Sequence, residues 1–143
     1  SDDVSLDECL RQAAEAGYTG METGRRFPMS MAELGPVLAR HGMAVCGGWF
    51  SGTVLLGDLE ENKDRIQAQM ALFKAASAPC IVYGEVARSI QGDRSRPLAR
   101  KPRLSDDEMR QYARRMTAFG EWCAQAGMPL AYHHHMGAVV ETE

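Results

Sequence analysis

The chain has 143 residues, of which 45% are hydrophobic and 24% are charged, and its formal net charge is −3. That length and composition are typical of one domain with a hydrophobic core. The slightly acidic balance excludes a global basic field of the kind that attracts nucleic acids or anionic membranes. No apolar run approaches the roughly 18 residues of a membrane span. We therefore expect neither a nucleic-acid partner nor a membrane partner.

Helix-start signals recur four times along the chain. Each has a side-chain acceptor followed three residues later by Glu, the pattern of a capping box or its Asp variant. The four pairs are Ser5 with Glu8, Ser30 with Glu33, Asp58 with Glu61, and Ser105 with Glu108. Three of the predicted helices end at Gly17, Gly42 and Gly127, and the third in chain order ends before Pro79. Glycine permits a left-handed cap and proline cannot continue a helix.

A short apolar run follows each predicted helix, at residues 18–23, 43–50, 80–85 and 128–135. These runs lack strict alternation, as expected of strands that are covered on both faces. Alternating helices and strands with short connections predict a parallel α/β sheet in a single domain. The chain starts on a helix, so we expect a missing strand before Ser5. The basic stretch 88–103 follows the third strand, and it predicts either a substrate loop or an ordinary solvated loop.

The four cysteines are Cys9, Cys46, Cys80 and Cys123, and none belongs to a CxxC pair. Each lies in an apolar segment, which favours buried free thiols of a reducing compartment over disulfides. We therefore expect a cytoplasmic protein.

Each predicted strand is followed by polar or aromatic residues, and parallel strands bring their carboxyl ends to one rim. In α/β enzymes this rim carries the functional site. The candidates there are Glu22, Thr23, Arg25, Arg26, Trp49, Phe50, Ser51, Tyr83, Glu85, His133, His134, His135 and Glu141.

The histidine run is the densest concentration of this chemistry. In an extended strand, His133 and His135 point to one side and His134 to the other. We expect His133 and His135 to face the site, because two neutral imidazoles can hold a divalent metal or transfer protons. The alternative is a hydrogen-bonded structural cluster, which is favoured for His134.

The acids and aromatics at the other strand ends each allow two interpretations. Glu22 and Glu85 are costly to bury unless they are paired or functional, and Arg25, Arg26 or Arg88 could pair with either as a plain salt bridge. Trp49 and Phe50 could line a sugar-binding wall or pack in the core. Gly47–Gly48 is not a phosphate loop, because the spacing and lysine of that motif are absent.

Four segments together resemble the inosose dehydratase family of the xylose isomerase-like barrel group. They are LDECLRQAAEAGYTGMETGRRFP, GGWFSG, YGEVARSIQGDRSRPL and AYHHHMGAVVETE. The resemblance covers nearly the whole chain. It implies a parallel (β/α)8 TIM barrel, of which residues 1–143 form a single partial domain. This domain would cover roughly the N-terminal half, four to five βα units, without the first strand and the C-terminal half.

The resemblance also implies a function, the dehydration of 2-keto-myo-inositol in inositol catabolism with a divalent metal, Co2+ or Mn2+. Glu141 is then the leading metal ligand, with His135 as its competitor, and the remaining ligands are expected beyond the chain. His133, His135 and Glu85 are the expected catalytic groups. The partners implied are a cyclitol or sugar substrate, glutathione as a further cofactor, and a second copy in a homo-oligomer. The residues assigned to substrate binding are Glu22, Arg25, Trp49, Phe50 and Tyr83.

Two other functions stay open at this stage. A sugar isomerase or epimerase of the same barrel group would use similar metal and enediolate chemistry but keep the hydroxyl group. Alternatively, the chain is an inactive half-barrel that needs a partner chain, because five strands cannot close an eight-stranded barrel and an open edge invites association.

Overall fold

A computed structural model describes residues 4–141. Its helices are α1 (Leu6–Glu15), α2 (Met31–His41), α3 (Leu59–Ala75) and α4 (Asp106–Gln125), and its strands are β1 (Gly20–Thr23), β2 (Ala44–Gly52), β3 (Ile81–Glu85) and β4 (Leu130–Tyr132). Short 3-10 turns lie at Val54–Leu56 and Leu98–Arg100. The four strands form one sheet in the order β1-β2-β3-β4, with every neighbouring pair parallel. The predicted alternating α/β organisation is confirmed. The possible strand before Ser5 lies outside the residues described.

The helix signals read from the sequence account for most helix boundaries. The side chains of Ser5 and Asp58 accept the expected backbone hydrogen bonds, and Ser105 forms the complete capping box with Glu108. Ser30 differs, because its hydroxyl donates to the Glu33 carboxylate instead of capping a backbone N–H. Gly17, Gly42 and Gly127 adopt positive φ after α1, α2 and α4. These residues therefore let the chain turn directly into the following strand.

The hydrophobic core lies between the helices and one face of the sheet. Its fully buried side chains include Leu10, Leu34, Ile66, Phe73, Ile81, Tyr83 and Phe119. The opposite face, which we call the concave face, is defined by Ala44, Cys46, Trp49, Ala131 and His133, all of which are exposed. This two-sided arrangement differs from the strands covered on both faces that the sequence predicts.

A register shift between β1 and β2 sets which side chains of β2 reach the concave face. Met21 pairs with Val45, but the next residue, Glu22, pairs with Gly47, so Cys46 is bypassed. Such an irregularity reverses the alternation of the side chains that follow. Trp49 consequently points to the concave face, and Phe50 points into the core.

Candidate functional site

An open cleft of about 710 Å³ lies beyond the carboxyl end of β4. The residues that line it come from the segment after β4 and from the loop between β3 and α4. They are Leu98, Ala99, Lys101, His133, His134, His135, Met136 and Glu141. The predicted collection of histidines and an acid at this rim is therefore present in the structure. The loop 88–103, for which the sequence left two interpretations, contributes one wall of the cleft.

All three histidines line this cleft, which corrects the expected separation of His134 from its neighbours. The strand alternation does not apply, because β4 ends at Tyr132 instead of continuing to His135. Only the His133 backbone extends the ladder, since its N–H donates to the Tyr83 carbonyl at 2.8 Å. Beyond that bond the chain turns, and the His133 ring lies 6.3 Å from the His134 ring and 5.7 Å from the His135 ring.

Trp49 joins this histidine cluster from β2 across the concave face. Its ring meets His133 edge-on at a centroid distance of 5.4 Å and His135 at 6.5 Å. The indole N–H donates to Ser51 Oγ at 2.8 Å, which fixes the ring orientation. About a third of Trp49 remains exposed, 36% by relative area. A flat aromatic surface beside two imidazoles is thus available to a ligand on the concave face.

Phe50 and Tyr83, which the sequence assigns to substrate binding, lie on the opposite side of the sheet. Phe50 is 6% exposed and Tyr83 is fully buried, and their rings pack together at 6.1 Å under the helices. Burial raises the pKa of Tyr83 well above its ordinary value, with the neighbouring Glu85 carboxylate as a further cause. Neither side chain can touch a ligand in the cleft, so the substrate-binding assignment is corrected for both.

Glu85 is likewise corrected from a catalytic group to a structural one. It is 3% exposed and lines none of the clefts described here. Its Oε2 accepts hydrogen bonds from the Leu55 N–H at 3.0 Å and the Tyr83 hydroxyl at 2.8 Å, and its Oε1 accepts from the Ala87 N–H at 2.9 Å. These bonds fasten the 3-10 turn after β2 to the end of β3. The salt-bridge alternative is also wrong for Arg88, which instead pairs with Glu108 at 2.8 Å.

Glu22 and Arg25 lie apart from the histidine cleft, and only Arg25 shares a cleft with Trp49. Glu22 is exposed, and its register partner across the sheet is Gly47. Arg25 is exposed and lines a second cleft of about 450 Å³ together with Trp49, Met29 and Gln69. This cleft brings Trp49 and Arg25 together, so a substrate role for Arg25 stays a prediction, as it does for Glu22.

Lys101 is a residue of the cleft that sequence reasoning did not single out. Its ammonium forms an ion pair with Glu141 Oε2, while Glu141 Oε1 accepts from the Gly137 N–H at 2.9 Å. The basic stretch 88–103 in the sequence predicted a loop at the site, but it did not identify Lys101 as the residue that reaches the cleft. The pairing across 40 positions depends entirely on the tertiary fold.

The donors described around Glu141 and His135 do not complete the predicted metal site. Both residues line one cleft, but within residues 4–141 no three His, Cys, Asp or Glu side chains converge as a metal site. Both oxygens of Glu141 already have partners, namely Lys101 and Gly137. The side chains described here therefore do not form a complete metal centre.

No family model matches the chain. It is 33% identical over 141 residues to the rhizopine catabolism protein MocC of Rhizobium meliloti, covering 99% of this chain and 43% of that protein. It is 34% identical over 140 residues to an inosose dehydratase of Mesomycoplasma hyopneumoniae strain J, covering 98% and 46%. The chain thus spans less than half the length of these curated relatives.

Solved structures show the same relationship at the level of the fold. A xylose isomerase-like TIM barrel protein from Mycobacterium smegmatis, solved in complex with magnesium, superposes with a TM-score of 0.65 at 15% identity. The match covers 95% of this chain and 48% of that protein. A xylose isomerase domain protein from Alicyclobacillus acidocaldarius gives a TM-score of 0.50 at 19% identity.

Among residues 4–141 no helix has both the length and the hydropathy that crossing a bilayer requires.

The resemblance expected from the sequence is confirmed: over nearly its whole length this chain is similar to inosose dehydratases and MocC, and it has the fold of about half of a xylose isomerase-like TIM barrel.

Proposed function

We propose that this chain is the substrate-binding half of a lyase that dehydrates 2-keto-myo-inositol. The observation that carries the proposal is the Trp49–His133–His135 cluster on the concave face. It combines a flat apolar surface with two groups that can transfer protons, in a chain that is similar to inosose dehydratases. The flat surface suits the apolar C–H face of a cyclitol ring. The two proton-transfer groups suit the loss of water from that ring.

Trp49 binds the ring of the cyclitol substrate in this proposal. Its exposed face lies on the same side of the sheet as His133, and its N–H is already engaged by Ser51. Trp49 therefore offers apolar contact instead of a hydrogen bond, which suits the C–H face of a saturated ring. Arg25 lines the adjoining cleft with Trp49, and we propose that it donates hydrogen bonds to hydroxyl groups on the rim of such a ring.

His133 and His135 transfer the protons in this proposal. Dehydration removes the proton α to the ketone, the C–H electron pair forms the new C=C bond, and the β-hydroxyl leaves as water after it is protonated. A neutral imidazole can accept the first proton, and an imidazolium can donate the second. His135 Nδ1 lies 2.9 Å from the Met136 carbonyl, which leaves its Nε2 as the atom for exchange with a ligand. Glu85 has no part in these steps.

A divalent metal is proposed as part of the complete site, as Co2+ or Mn2+ from the family resemblance. The solved barrel from Mycobacterium smegmatis is in complex with magnesium. Because the side chains of residues 4–141 do not form a complete centre, the remaining ligands would come from outside these residues. A role for glutathione and a cytoplasmic location also stay predictions.

We further propose that turnover requires more chain than these 143 residues. The sheet has four strands with β1 and β4 at its edges, whereas a closed barrel of this type has about eight. The concave face, which such a barrel would enclose, is exposed. The missing strands would come from the same polypeptide or from an associated chain, including a second copy.

The test is an inosose dehydration assay that follows the ultraviolet absorbance of the dione product. It compares this chain with the longest protein that its gene encodes. We expect turnover only from the longer protein. In that protein, Trp49→Ala should raise KM and His135→Ala should lower kcat by roughly 100-fold or more.

Tyr18→Ala is the matched control for the loss of an aromatic ring, because Tyr18 is 66% exposed and lies outside the clefts described. Epimerisation of a sugar without the ultraviolet product would favour the isomerase alternative. Unchanged kinetics in both Trp49→Ala and His135→Ala would refute the assignment of these residues.

A further inference from the structure

The loop 88–103 is fastened to the segment after β4 near both of its ends. Near its start, the Ile90 N–H donates to the Gly137 carbonyl at 3.0 Å. Near its end, Lys101 forms the ion pair with Glu141. Residues 91–100 between these contacts are all exposed. Ser89 Oγ also donates to the Gly137 carbonyl, at 3.4 Å. Of these contacts, only the Lys101–Glu141 pair involves a side chain that is expected to be functional.

Lys101 differs from the other basic residues of the loop in its position. Its side chain is 30% exposed and meets a Glu141 side chain that is 23% exposed. Arg94, Arg96, Arg100 and Arg103 are exposed, and Arg103 lines a neighbouring cleft with Glu141 instead of the histidine cleft. Arg88 pairs instead with Glu108, outside the cleft. Lys101 is thus the basic loop residue that lines the histidine cleft.

We propose that Lys101 is a positioning residue that occupies the place of a cation beside Glu141 and, in a chain without the other metal ligands, keeps divalent metal ions from binding there. The inference rests on the proposed function only in taking Glu141 as the carboxylate that would contact a metal. Lys101 and Gly137 together hold that carboxylate in one orientation. A divalent ion must displace the ammonium before it can bind Glu141 Oε2.

The electrostatic reason is the repulsion between two cations at one carboxylate. An ammonium within contact distance of Glu141 neutralises its charge and repels an approaching metal ion, and both effects weaken metal binding. Removing the ammonium removes both effects at once. Arginine at the same position would keep the charge and therefore most of the exclusion.

The experiment measures Mn2+ affinity of the 143-residue chain by electron paramagnetic resonance of free Mn2+, without substrate. Lys101→Met keeps most of the length of the side chain and removes its charge. We expect it to bind Mn2+ roughly tenfold or more tightly than the original chain, while Lys101→Arg stays close to the original. Arg100→Met is the matched control, because it changes the net charge equally but alters an exposed neighbour. It should change the affinity by less than about threefold.

The double variant Lys101→Met/Glu141→Gln identifies the ligand, since it should lose the gain. A gain in Mn2+ affinity equal to that of Arg100→Met, or one that survives Glu141→Gln, would overturn the proposal.

Because the pair is partly exposed and contributes little to folding, the variants should fold, which circular dichroism checks. Lys101→Gln replaces Lys101→Met if that variant is unfolded. Failure of the inosose assay alone would refute the proposed function but not this exclusion of metal ions, since no substrate is involved.

Discussion

The Trp49 indole lies directly over Gly84 on the neighbouring strand, so that a Cβ atom at position 84 would overlap the ring. Gly84 is therefore the residue that lets Trp49 reach across β3 to His133 on the far side. The GGWFSG and YGEV segments meet at this point. The position of Trp49 therefore depends on Gly84, which has no side chain. Because Gly84 carries no functional group, the sequence does not identify it as part of the site.

Gly84→Ala should displace Trp49 and destabilise the chain by about 1–3 kcal/mol, because the indole and the new methyl group cannot share the same space. Urea unfolding measures the loss, and the emission spectrum of Trp49 in a Trp122→Phe background reports the displacement. Gly92→Ala is the control, since a Cβ there has no neighbour within 4 Å. Equal effects of the two substitutions would contradict the packing described for Trp49.

Glu85→Ala should lower the free energy of unfolding by about 3 kcal/mol, since it leaves the buried donors on Leu55, Ala87 and Tyr83 without their acceptor. Glu85→Gln keeps one acceptor oxygen and should cost less. Chemical denaturation measures both. Glu121→Ala is the control, because Glu121 is exposed on α4. A stable Glu85→Ala chain would reopen a functional role for this carboxylate.

Glu108 should contribute to the acid stability of the chain. Hydrogen bonding to the Ser105 backbone N–H and then to Arg88 lowers its pKa from an ordinary 4.5 to about 2. A carboxyl with a lowered pKa stabilises the fold above its ordinary pKa, and this contribution is lost as pH falls from about 4.5 to about 2. Glu108→Gln should therefore flatten the pH dependence of stability in this window. Thermal melts at several pH values provide the measurement, with Glu121→Gln as the control for the loss of an exposed carboxylate on the same helix.

Thiol labelling should distinguish Cys46 from Cys123. Cys46 is exposed on the concave face, contrary to the burial expected from the sequence, while Cys123 is buried in the core. Burial also raises the pKa of Cys123 to about 11, so little thiolate is present at pH 8. Cys46 should react within the native chain and Cys123 only after unfolding.

A Cys46→Ser variant identifies the fast-reacting group. The same measurement tests the barrel proposal, because additional strands would enclose the concave face. Cys46 should then be protected in the longer protein. Equal labelling rates in the short and long proteins would argue against that enclosure.

The amino-acid sequence by itself determined the succession of helices and strands. Caps such as Ser105 with Glu108 and turns such as Gly127 are local signals, because they depend on hydrogen bonds between residues close in sequence. The parallel sheet and the gathering of His133–His135 and Glu141 at one rim followed from that order. The resemblance to inosose dehydratases was likewise evident from short motifs.

Only the tertiary structure decided which of the candidate residues share a surface. The register shift at Cys46 sent Trp49 to the concave face and Phe50 to the core, and the early end of β4 brought His134 into the cleft. Lys101 reached Glu141 across 40 positions. Such relationships depend on strand register and on packing between distant segments, and a single residue of shift exchanges the two faces of a strand. Local sequence patterns carry no information about that choice.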